Sequence, residues 1–239
     1  MANGYQLVIP EVCMPVRRSK LNYQSVGGSL ASSRLGRPVR YDSLLERDFL
    51  LVLDLHPAVE WFEEQPMKIP WIDKNGVGRV YVPDVLVRFR PSHRFLGRPA
   101  GRTLLVELKH RDDLGKNWDA LRPKLRAGVH AAAQQGYRFK ILTEMQTRGL
   151  ALKNAEFIRK HLHAHFEQET ADALKECLAR CTGCSAERLA AQVSRNSLVV
   201  QKALHCIWTL VAKGVFAVDL EEPLSPFSMV FMGHRHEQH

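Results

Sequence analysis

Two stretches of sequence decide the fold of this chain, VYVPDVLVRF at residues 80–89 and LLVELK at residues 104–109. Both are rich in β-branched and other apolar residues, which predicts two buried strands. Each stretch also carries a carboxylate, Asp84 in the first and Glu107 in the second. An unpaired charge in a protein core is costly, so these two acids need a partner or a function.

The second predicted strand adds a lysine to the two acids. Residues two apart in a strand point to the same side, so Glu107 and Lys109 project together. Carboxylates hold hard divalent ions, and such an ion lowers the pKa of bound water and stabilises charge on a phosphate. A lysine beside them can orient or deprotonate the attacking water, or stabilise the charged phosphate oxygens. These residues suggest metal-assisted phosphodiester cleavage, and a structural salt bridge at a strand end is the alternative.

The composition fits a partner that carries negative charge. The 239 residues include 34 Lys and Arg against 25 Asp and Glu, which gives a net charge of +9. A basic balance of this size is typical of proteins that bind a polyanion, although solubility or a basic tail also produces it. No apolar run approaches the roughly 20 residues of a membrane span, and the first residues do not resemble a signal peptide. The five cysteines are an odd number, so we expect a reduced, cytoplasmic protein without a complete disulfide framework.

Changes in sequence pattern divide the chain into three parts. Residues 1–38 are basic and poorly periodic, which predicts a flexible arm that either tracks phosphates or is simply solvated. Residues 39–166 alternate helix and strand signals, which predicts a mixed α/β (α+β) domain. In residues 167–239, helical patterns precede two short strands and a His-rich tail. That layout is typical of a small winged-helix-like domain, which binds either DNA or protein.

A helix is predicted to begin at Ser43 and to end before Pro57. Its apolar positions with helical spacing are Leu45, Phe49, Val52 and Leu53. Ser43 and Glu46 have the spacing of a capping box, in which the two residues satisfy free N–H groups at the helix start. Capping alone explains Glu46. The alternative is that Glu46 faces the acids Asp84 and Glu107.

Several weaker signals complete the prediction for residues 39–166. Residues 59–72 are expected to be extended, residues 73–76 to form a turn, and residues 91–102 to form a basic loop. A strand is expected at residues 137–143 and helices at residues 118–135 and 154–165. The inward face of the helix at residues 118–135 is expected to hold Leu121, Leu125, Val129 and Ala132.

Two groups of possible metal ligands compete with this interpretation. Cys177, Cys181 and Cys184, with the His205-Cys206 pair downstream, could bind zinc. Their spacing is irregular, and cysteines on the apolar face of a helix behave as small hydrophobic residues. A second group, His161 and His165, is expected to share one face of a helix, where a solvated role is the alternative to metal binding.

Several motifs together resemble TnsA, the endonuclease subunit of the heteromeric transposase of Tn-seven-like transposons. The motifs are Leu-Glu-Arg-Asp-Phe at residues 45–49, His-Pro-x-Val at residues 56–59, Glu-Gln-Pro at residues 64–66, Pro-Asp at residues 83–84 and Glu-Leu-Lys at residues 107–109. The resemblance covers about residues 30–145 by motif and the C-terminal part by layout only. It implies a restriction-endonuclease-like core, with a mixed central sheet flanked by helices, and a small winged-helix-type domain.

The resemblance also implies the site and its reaction. Carried onto this chain, the family's catalytic residues are Glu46, Asp84, Glu107 and Lys109, and the metal ligands are Asp84, Glu107 and Glu46. Gln65 is expected near the site. The implied activity is Mg²⁺-dependent cleavage, with Mn²⁺ as a substitute, at the 5′ ends of the transposon. The implied partners are transposon-end DNA, a TnsB-like transposase and a TnsC-like AAA+ ATPase regulator, and some such systems add a CRISPR or other DNA-binding targeting module.

The sequence therefore predicts a DNA endonuclease subunit of a transposase complex for cut-and-paste transposition. Basic residues near the site in sequence are expected to contact the DNA backbone, which positions a protein with little sequence recognition. These residues are Arg94, Arg98, Arg102, His110, Arg111 and Lys116. One alternative is a stand-alone restriction or repair nuclease of the same fold. The other is a non-catalytic bridge between transposase and regulator, which the intact set of four site residues argues against.

Overall fold

The computed structural model describes residues 26–90, 93–95, 98–100 and 103–233. The first part contains ten strands and four helices within these residues. In chain order they are β1 Gly28–Ala31, β2 Pro38–Tyr41, α1 Leu44–Leu55, β3 Val59–Glu64, β4 Ile69–Ile72, β5 Gly78–Tyr81, β6 Val85–Phe89, β7 His93–Phe95, β8 Arg98–Ala100, β9 Leu104–Leu108, α2 Arg111–Gln134, β10 Arg138–Leu142, α3 Glu144–Thr147 and α4 Leu150–Arg159. The expected mixed α/β architecture is confirmed, and it fits a restriction-endonuclease-like fold.

A four-stranded mixed sheet with the order β10-β9-β6-β3 lies at the centre. Strands β3, β6 and β9 run antiparallel, whereas β10 is parallel to β9 because α2 connects these two strands. On one face, Phe62, Val85 and Val106 belong to the main core together with residues of α1 and α4. On the other face, Leu86 and Leu105 pack with Ala132 of α2. The sheet is therefore covered by helices on both faces.

Helix α1 begins and ends as its sequence pattern predicts. The Oγ atom of Ser43 accepts a hydrogen bond from the N–H of Glu46, which satisfies one of the free donors of the first turn. The four apolar residues with helical spacing are all buried. The chain leaves the helix at His56, whose backbone is extended as expected for a residue before Pro57.

Helix α2 is longer than predicted, and one of the four residues predicted to face the core is exposed. It begins at Arg111 instead of residue 118, with a kink at Asn117 where the backbone leaves the helical region. Acidic residues in its first turn, Asp112 and Asp113, favour a helix start because they face the positive end of the helix dipole. The prediction that Val129 faces the core is wrong, since its side chain is 50% exposed. Gly128, buried against the sheet, takes its place.

The expectation of a flexible arm is wrong for residues 26–38, while residues 1–25 lie outside the described part of the chain. Strands β1 and β2 form an antiparallel hairpin. Arg34 donates hydrogen bonds to the carbonyl oxygens of Leu53, His56 and Val59 at 3.2, 2.9 and 2.6 Å. Arg37 forms a bidentate ion pair with the buried Glu64, with N–O distances of 2.7 and 2.9 Å. These arginines therefore hold the hairpin against the core instead of tracking phosphates.

The second part of the chain contains the elements that its sequence pattern predicts. They are α5 Gln168–Ala179, β11 Cys184–Ser185, α6 Ala186–Val193, α7 Ser197–Ala212, β12 Phe216–Val218 and β13 Met229–Met232. The strands form an antiparallel sheet with the order β11-β13-β12. Gly214, with a φ of 72°, ends α7. The domain boundaries and the winged-helix assignment remain predictions.

Contacts between α4 and the second part join the two parts. The side-chain amide of Asn154 donates to the carbonyl oxygens of Leu220 and Glu222 at 2.9 and 2.8 Å. The ring of Phe157 packs edge-on against that of Trp208, with a centroid distance of 5.7 Å. Among the described residues, no helix is long and apolar enough to cross a membrane.

Helix α4 corrects the prediction for the histidines. It ends at Arg159 instead of residue 165, so His161 and His165 do not share a helical face. The His161 ring instead packs edge-on against His205 of α7, with a centroid distance of 5.1 Å. Burial, followed by the nearby His205 and Lys160, lowers the pKa of His161.

Candidate active site

The pairing of β6 with β9 places Asp84 opposite Glu107. Val85 pairs with Val106 in this antiparallel ladder, so the next pair outward is Asp84 with Glu107. The N–H of Asp84 donates to the carbonyl oxygen of Val106 at 3.1 Å, which holds this end of the ladder. Directly opposite residues share a face of the sheet, so both carboxylates lie on the side covered by α2. The sequence suggested that Asp84 lies within a strand. In the structure, Asp84 directly precedes β6.

The Asp84 carboxylate lies in a strongly negative environment. Burial raises the pKa of Asp84 well above its ordinary value, and the charges of Glu107 and Glu46 raise it further. The N–H of Leu108 donates a hydrogen bond to Asp84 Oδ2 at 2.5 Å, and this hydrogen bond lowers the pKa of Asp84. Three carboxylates from separate elements therefore interact around Asp84. A bound cation would relieve their mutual repulsion.

Glu107 is held at the base of the site by three donors. Its side chain is 1% exposed. Tyr81 donates its hydroxyl proton to Oε2 at 2.6 Å, and the Nζ atoms of Lys124 and Lys109 lie 3.0 and 3.3 Å from Oε1. Burial, followed by the charge of Glu107, raises the pKa of the Tyr81 hydroxyl, so this hydroxyl stays a donor at neutral pH. Glu107 is therefore fixed in orientation before any ligand arrives.

Lys109 is the cation that all three acids share. Burial disfavours its charge, but Asp84, Glu107 and Glu46 outweigh burial and raise the pKa of Lys109. The ammonium group therefore stays protonated at neutral pH. Orienting water and stabilising negative charge, two of the roles expected for this lysine, fit a protonated ammonium.

Glu46 both caps α1 and faces the site, so the two expected roles are compatible. The Ser43 hydroxyl donates to its Oε1 at 3.0 Å, and the N–H of Asp42 donates to its Oε2 at 2.8 Å. Burial raises the pKa of Glu46. The hydrogen bond from the Asp42 N–H and the charge of Lys109 lower this pKa, whereas the charge of Asp42 raises it. Each carboxylate oxygen has two lone pairs, so capping leaves further acceptor sites on both oxygens.

Gln65 adjoins the site, as expected. Its N–H donates to the carbonyl oxygen of Asp84 at 2.8 Å, and its Nε2 donates to Asp42 Oδ2 at 3.0 Å. Its φ of 49° is unusual for a residue other than glycine, so the backbone is strained at the end of β3. Gln65 therefore links the end of β3, beside Asp84, to Asp42, which precedes α1.

Tyr81 and Lys124 belong to none of the sequence motifs that point to the site. Both touch Glu107, but they come from β5 and from the middle of α2, at no fixed spacing from the acids. The sequence carries one weak sign of close packing in this part of α2, the glycine Gly128, one helical turn after Lys124. A glycine inside a helix lowers helix stability and therefore often has a packing reason.

The structure describes some of the residues expected to bind DNA, and their binding to DNA stays a prediction. His110, Arg111 and Lys116 lie exposed at the start of α2, directly after the strand that carries Glu107. The His110 ring lies 3.3 Å from the Glu144 carboxylate, which also accepts the N–H of Arg111 at 3.1 Å. The backbones of Arg94 and Arg98 lie in the β7–β8 hairpin, whereas their side chains and all of Arg102 fall outside the described residues.

The acids have the chemistry of a site for a hard divalent cation. Asp84, Glu107 and Glu46 supply carboxylate oxygens, the ligands that Mg²⁺ prefers, and burial, followed by the charges of Glu107 and Glu46, raises the pKa of Asp84. Among the described residues, no three or more carboxylate, histidine or cysteine side chains already stand at ligand spacing around one point. Metal binding would therefore need small side-chain shifts, such as release of Glu107 Oε1 from a lysine.

The second candidate metal group lies on α5, on the turn after it and in β11. Cys177 is half-buried on α5, Cys181 is exposed after that helix, and Cys184 is buried in β11. The thiol of Cys181 donates to the carbonyl oxygen of Leu178 at 3.5 Å. Zinc binding by these cysteines remains a prediction.

The mixed sheet flanked by helices fits a restriction-endonuclease-like fold, with two opposed acids and a lysine at one end of the sheet. Residues 56–144 match the family model described as TnsA-like endonuclease N terminal. The matched segment contains Asp84, Glu107 and Lys109, whereas Glu46 precedes it. The resemblance to TnsA is confirmed, and the match supports a nuclease of the Tn-seven transposase type. No curated protein matches the chain.

Proposed function

We propose that this chain is a metal-dependent DNA endonuclease subunit that cleaves the 5′ ends of a transposon during cut-and-paste transposition. The observation that carries the proposal is the placement of Asp84 opposite Glu107, with Lys109 3.3 Å from Glu107 and within electrostatic reach of Asp84, inside a segment that matches a TnsA-like endonuclease. The family match supports DNA as the substrate, and the residue types at the site support hydrolysis as the reaction.

Each site residue has a defined role in the proposed reaction. Asp84 and Glu107 hold Mg²⁺, or Mn²⁺ as a substitute, and Glu46 completes the ligand set directly or through water. The bound ion supplies a water of lowered pKa and stabilises charge on the phosphate. Lys109 donates hydrogen bonds to the attacking water or to the phosphate oxygens. Tyr81 keeps Glu107 oriented by donating to Oε2.

The proposed partners follow from the family to which the matched model belongs. They are transposon-end DNA, a TnsB-like transposase, a TnsC-like AAA+ ATPase regulator and, in some systems, a CRISPR or other DNA-binding targeting module. The net charge of +9 favours binding to the phosphate backbone. The exposed residues His110, Arg111 and Lys116 at the start of α2 are the proposed backbone contacts.

A strand-specific cleavage assay on end-containing DNA tests the proposal. The full chain is incubated with Mg²⁺ or EDTA, with and without the other transposition proteins, and nicks are mapped on each strand. We expect Asp84→Asn and Lys109→Met to lower 5′ nicking by about 100-fold or more, because each removes a metal ligand or a charge beside the phosphate. Asp112→Asn, an exposed acid on α2, is the control and should cleave like the unmodified protein.

The same assay separates the proposal from its two alternatives. Metal-dependent cleavage by the chain alone would indicate a stand-alone nuclease. Assembly with the partners but no metal-dependent nicking would indicate a non-catalytic bridge. Full 5′ cleavage by the Asp84 or Lys109 variant would refute the assignment of the site.

A further inference from the structure

A second lysine shares the carboxylate that Lys109 contacts. Lys124 Nζ lies 3.0 Å from Glu107 Oε1, closer than the 3.3 Å of Lys109 to the same oxygen. The Lys124 ammonium also lies 5.0 Å from the centroid of the Tyr81 ring, on which it rests as a cation on an aromatic face. The same Tyr81 donates to the other oxygen of Glu107. Lys124 is therefore built into the site.

The approach of α2 to the sheet places Lys124 at this point. Gly128, one turn further along the helix, has no side chain, and a Cβ atom there would lie 2.6 Å from the Phe139 ring and 3.0 Å from the Tyr81 ring. Residues four apart share a helix face, so the contact that Gly128 permits also directs Lys124 at Glu107. A glycine inside a helix costs roughly 1 kcal/mol relative to alanine, and close packing gives a reason for it here.

The charges at Glu107 leave one lysine in excess once a metal binds. Two ammonium groups share a single carboxylate oxygen in the metal-free arrangement, and a divalent ion on Glu107 would repel both of them. Lys109 has two further acids, Asp84 and Glu46, within its electrostatic reach. Within the described part of the chain, the interactions found for Lys124 are only with Glu107 and the ring of Tyr81. Lys124 is therefore the cation that needs a new anionic partner.

The exposure of these groups shows where that partner would lie. The side chains of Lys124 and Lys109 are 21% and 29% exposed, whereas that of Glu107 is 1% exposed. The ammonium groups thus lie between the buried carboxylate and the solvent, the side from which a DNA strand must approach. A phosphate offers several acceptor oxygens and a negative charge to a lysine released from a carboxylate.

We propose that Lys124 is a second phosphate-binding lysine of this site, which leaves Glu107 for a DNA phosphate when the metal ion binds. The inference rests on the proposed endonuclease function. It assigns the two lysines different tasks. Lys109 stays with the acids, and Lys124 binds the DNA strand.

Equilibrium binding of the full chain to end-containing duplex DNA tests the inference. Ca²⁺ replaces Mg²⁺ so that the DNA stays uncut, and affinity is measured at several salt concentrations. We expect Lys124→Met to weaken binding by about 5- to 10-fold and to lower the slope of log affinity against log salt by about 1, the effect of one lost phosphate contact. Lys124→Arg should restore most of the affinity. Arg126→Met removes one charge from the exposed face of the same helix and should leave the slope unchanged.

Metal binding separates this role from a structural one. Mn²⁺ affinity, followed by electron paramagnetic resonance in the absence of DNA, should be equal or higher in Lys124→Met, because a competing cation has left Glu107. A purely structural lysine would instead weaken Mn²⁺ binding when it is removed. That result, or an unchanged DNA affinity and salt slope in Lys124→Met, would overturn the inference.

The outcomes also distinguish this inference from the proposed function. An unmodified protein that binds DNA but does not nick it in the complete assembly removes the nuclease proposal, while the salt slope still decides the role of Lys124. If the unmodified protein nicks DNA and the Lys124→Met variant binds DNA as tightly as the unmodified protein, only the inference about Lys124 is refuted. Absence of DNA binding by the unmodified protein, alone and in the assembly, refutes both.

Discussion

Glu63 is a buried acid that should make the protein less stable as the pH rises. It lies on β3 two residues before Gln65 and is 5% exposed. Among the described residues, its Oε1 has no hydrogen-bond partner. Burial, followed by the charge of the adjacent Glu64, raises the pKa of Glu63 to about 7, and Arg37 only partly opposes this. Ionised Glu63 is therefore disfavoured in the folded protein.

The sign and size of the effect follow from the two pKa values. The folded protein holds the Glu63 proton up to about pH 7, whereas an unfolded chain releases it near 4.5. The stabilisation from this group is thus fully present below pH 4.5 and is lost as the pH rises through 7. The difference corresponds to roughly 3 kcal/mol. We reduce this to about 1.5–2 kcal/mol, because water and salt screen part of the interaction.

Urea denaturation of Glu63→Gln across pH 4.5–8 tests this reasoning. Glutamine keeps the shape of the side chain but does not titrate, so the variant should equal the unmodified protein at pH 4.5 and exceed its free energy of unfolding by about 1.5–2 kcal/mol at pH 8. Glu60→Gln, on a half-exposed residue of the same strand, is the control and should show no such trend. A constant difference between Glu63→Gln and the unmodified protein, or one that grows toward low pH, would refute the argument.

Two further predictions concern the supports of the site. Gly128→Ala places a methyl group against Phe139. We expect a net loss of about 1–2 kcal/mol in unfolding free energy, because the cost of overpacking exceeds the gain in helix propensity. We also expect slower DNA nicking. Gly115→Ala, where a Cβ meets open space in the same helix, should not destabilise the protein. Ser43→Ala should cost about 1 kcal/mol of stability by loss of the cap and should lower Mn²⁺ affinity less than Glu46→Gln does, because it removes one hydrogen bond to the Glu46 carboxylate but keeps the carboxylate. Glu46→Gln should weaken Mn²⁺ binding. Equal Mn²⁺ affinity in the two variants would restrict Glu46 to capping.

Local patterns were sufficient for most of the elements. Helix α1, with its serine cap and apolar spacing, and the strand that carries Glu107 both follow from their own residues. The three C-terminal helices and the final pair of strands also match their patterns. Predictions failed where long-range contacts decide. Residues 26–38 look flexible by composition, yet two arginines tie them to the core through partners about 20 residues away or more.

The sequence by itself supplied the candidate site residues Asp84, Glu107 and Lys109, and through its resemblance to TnsA also Glu46. It also determined that Glu107 and Lys109 lie on one side, because the side-chain period of a strand is local. Only the tertiary structure decided that Asp84 stands opposite Glu107, since the register between two strands depends on pairing across a connection of variable length. The second lysine was likewise beyond local reasoning. Its position follows from a close helix–sheet contact, which no spacing along the chain encodes.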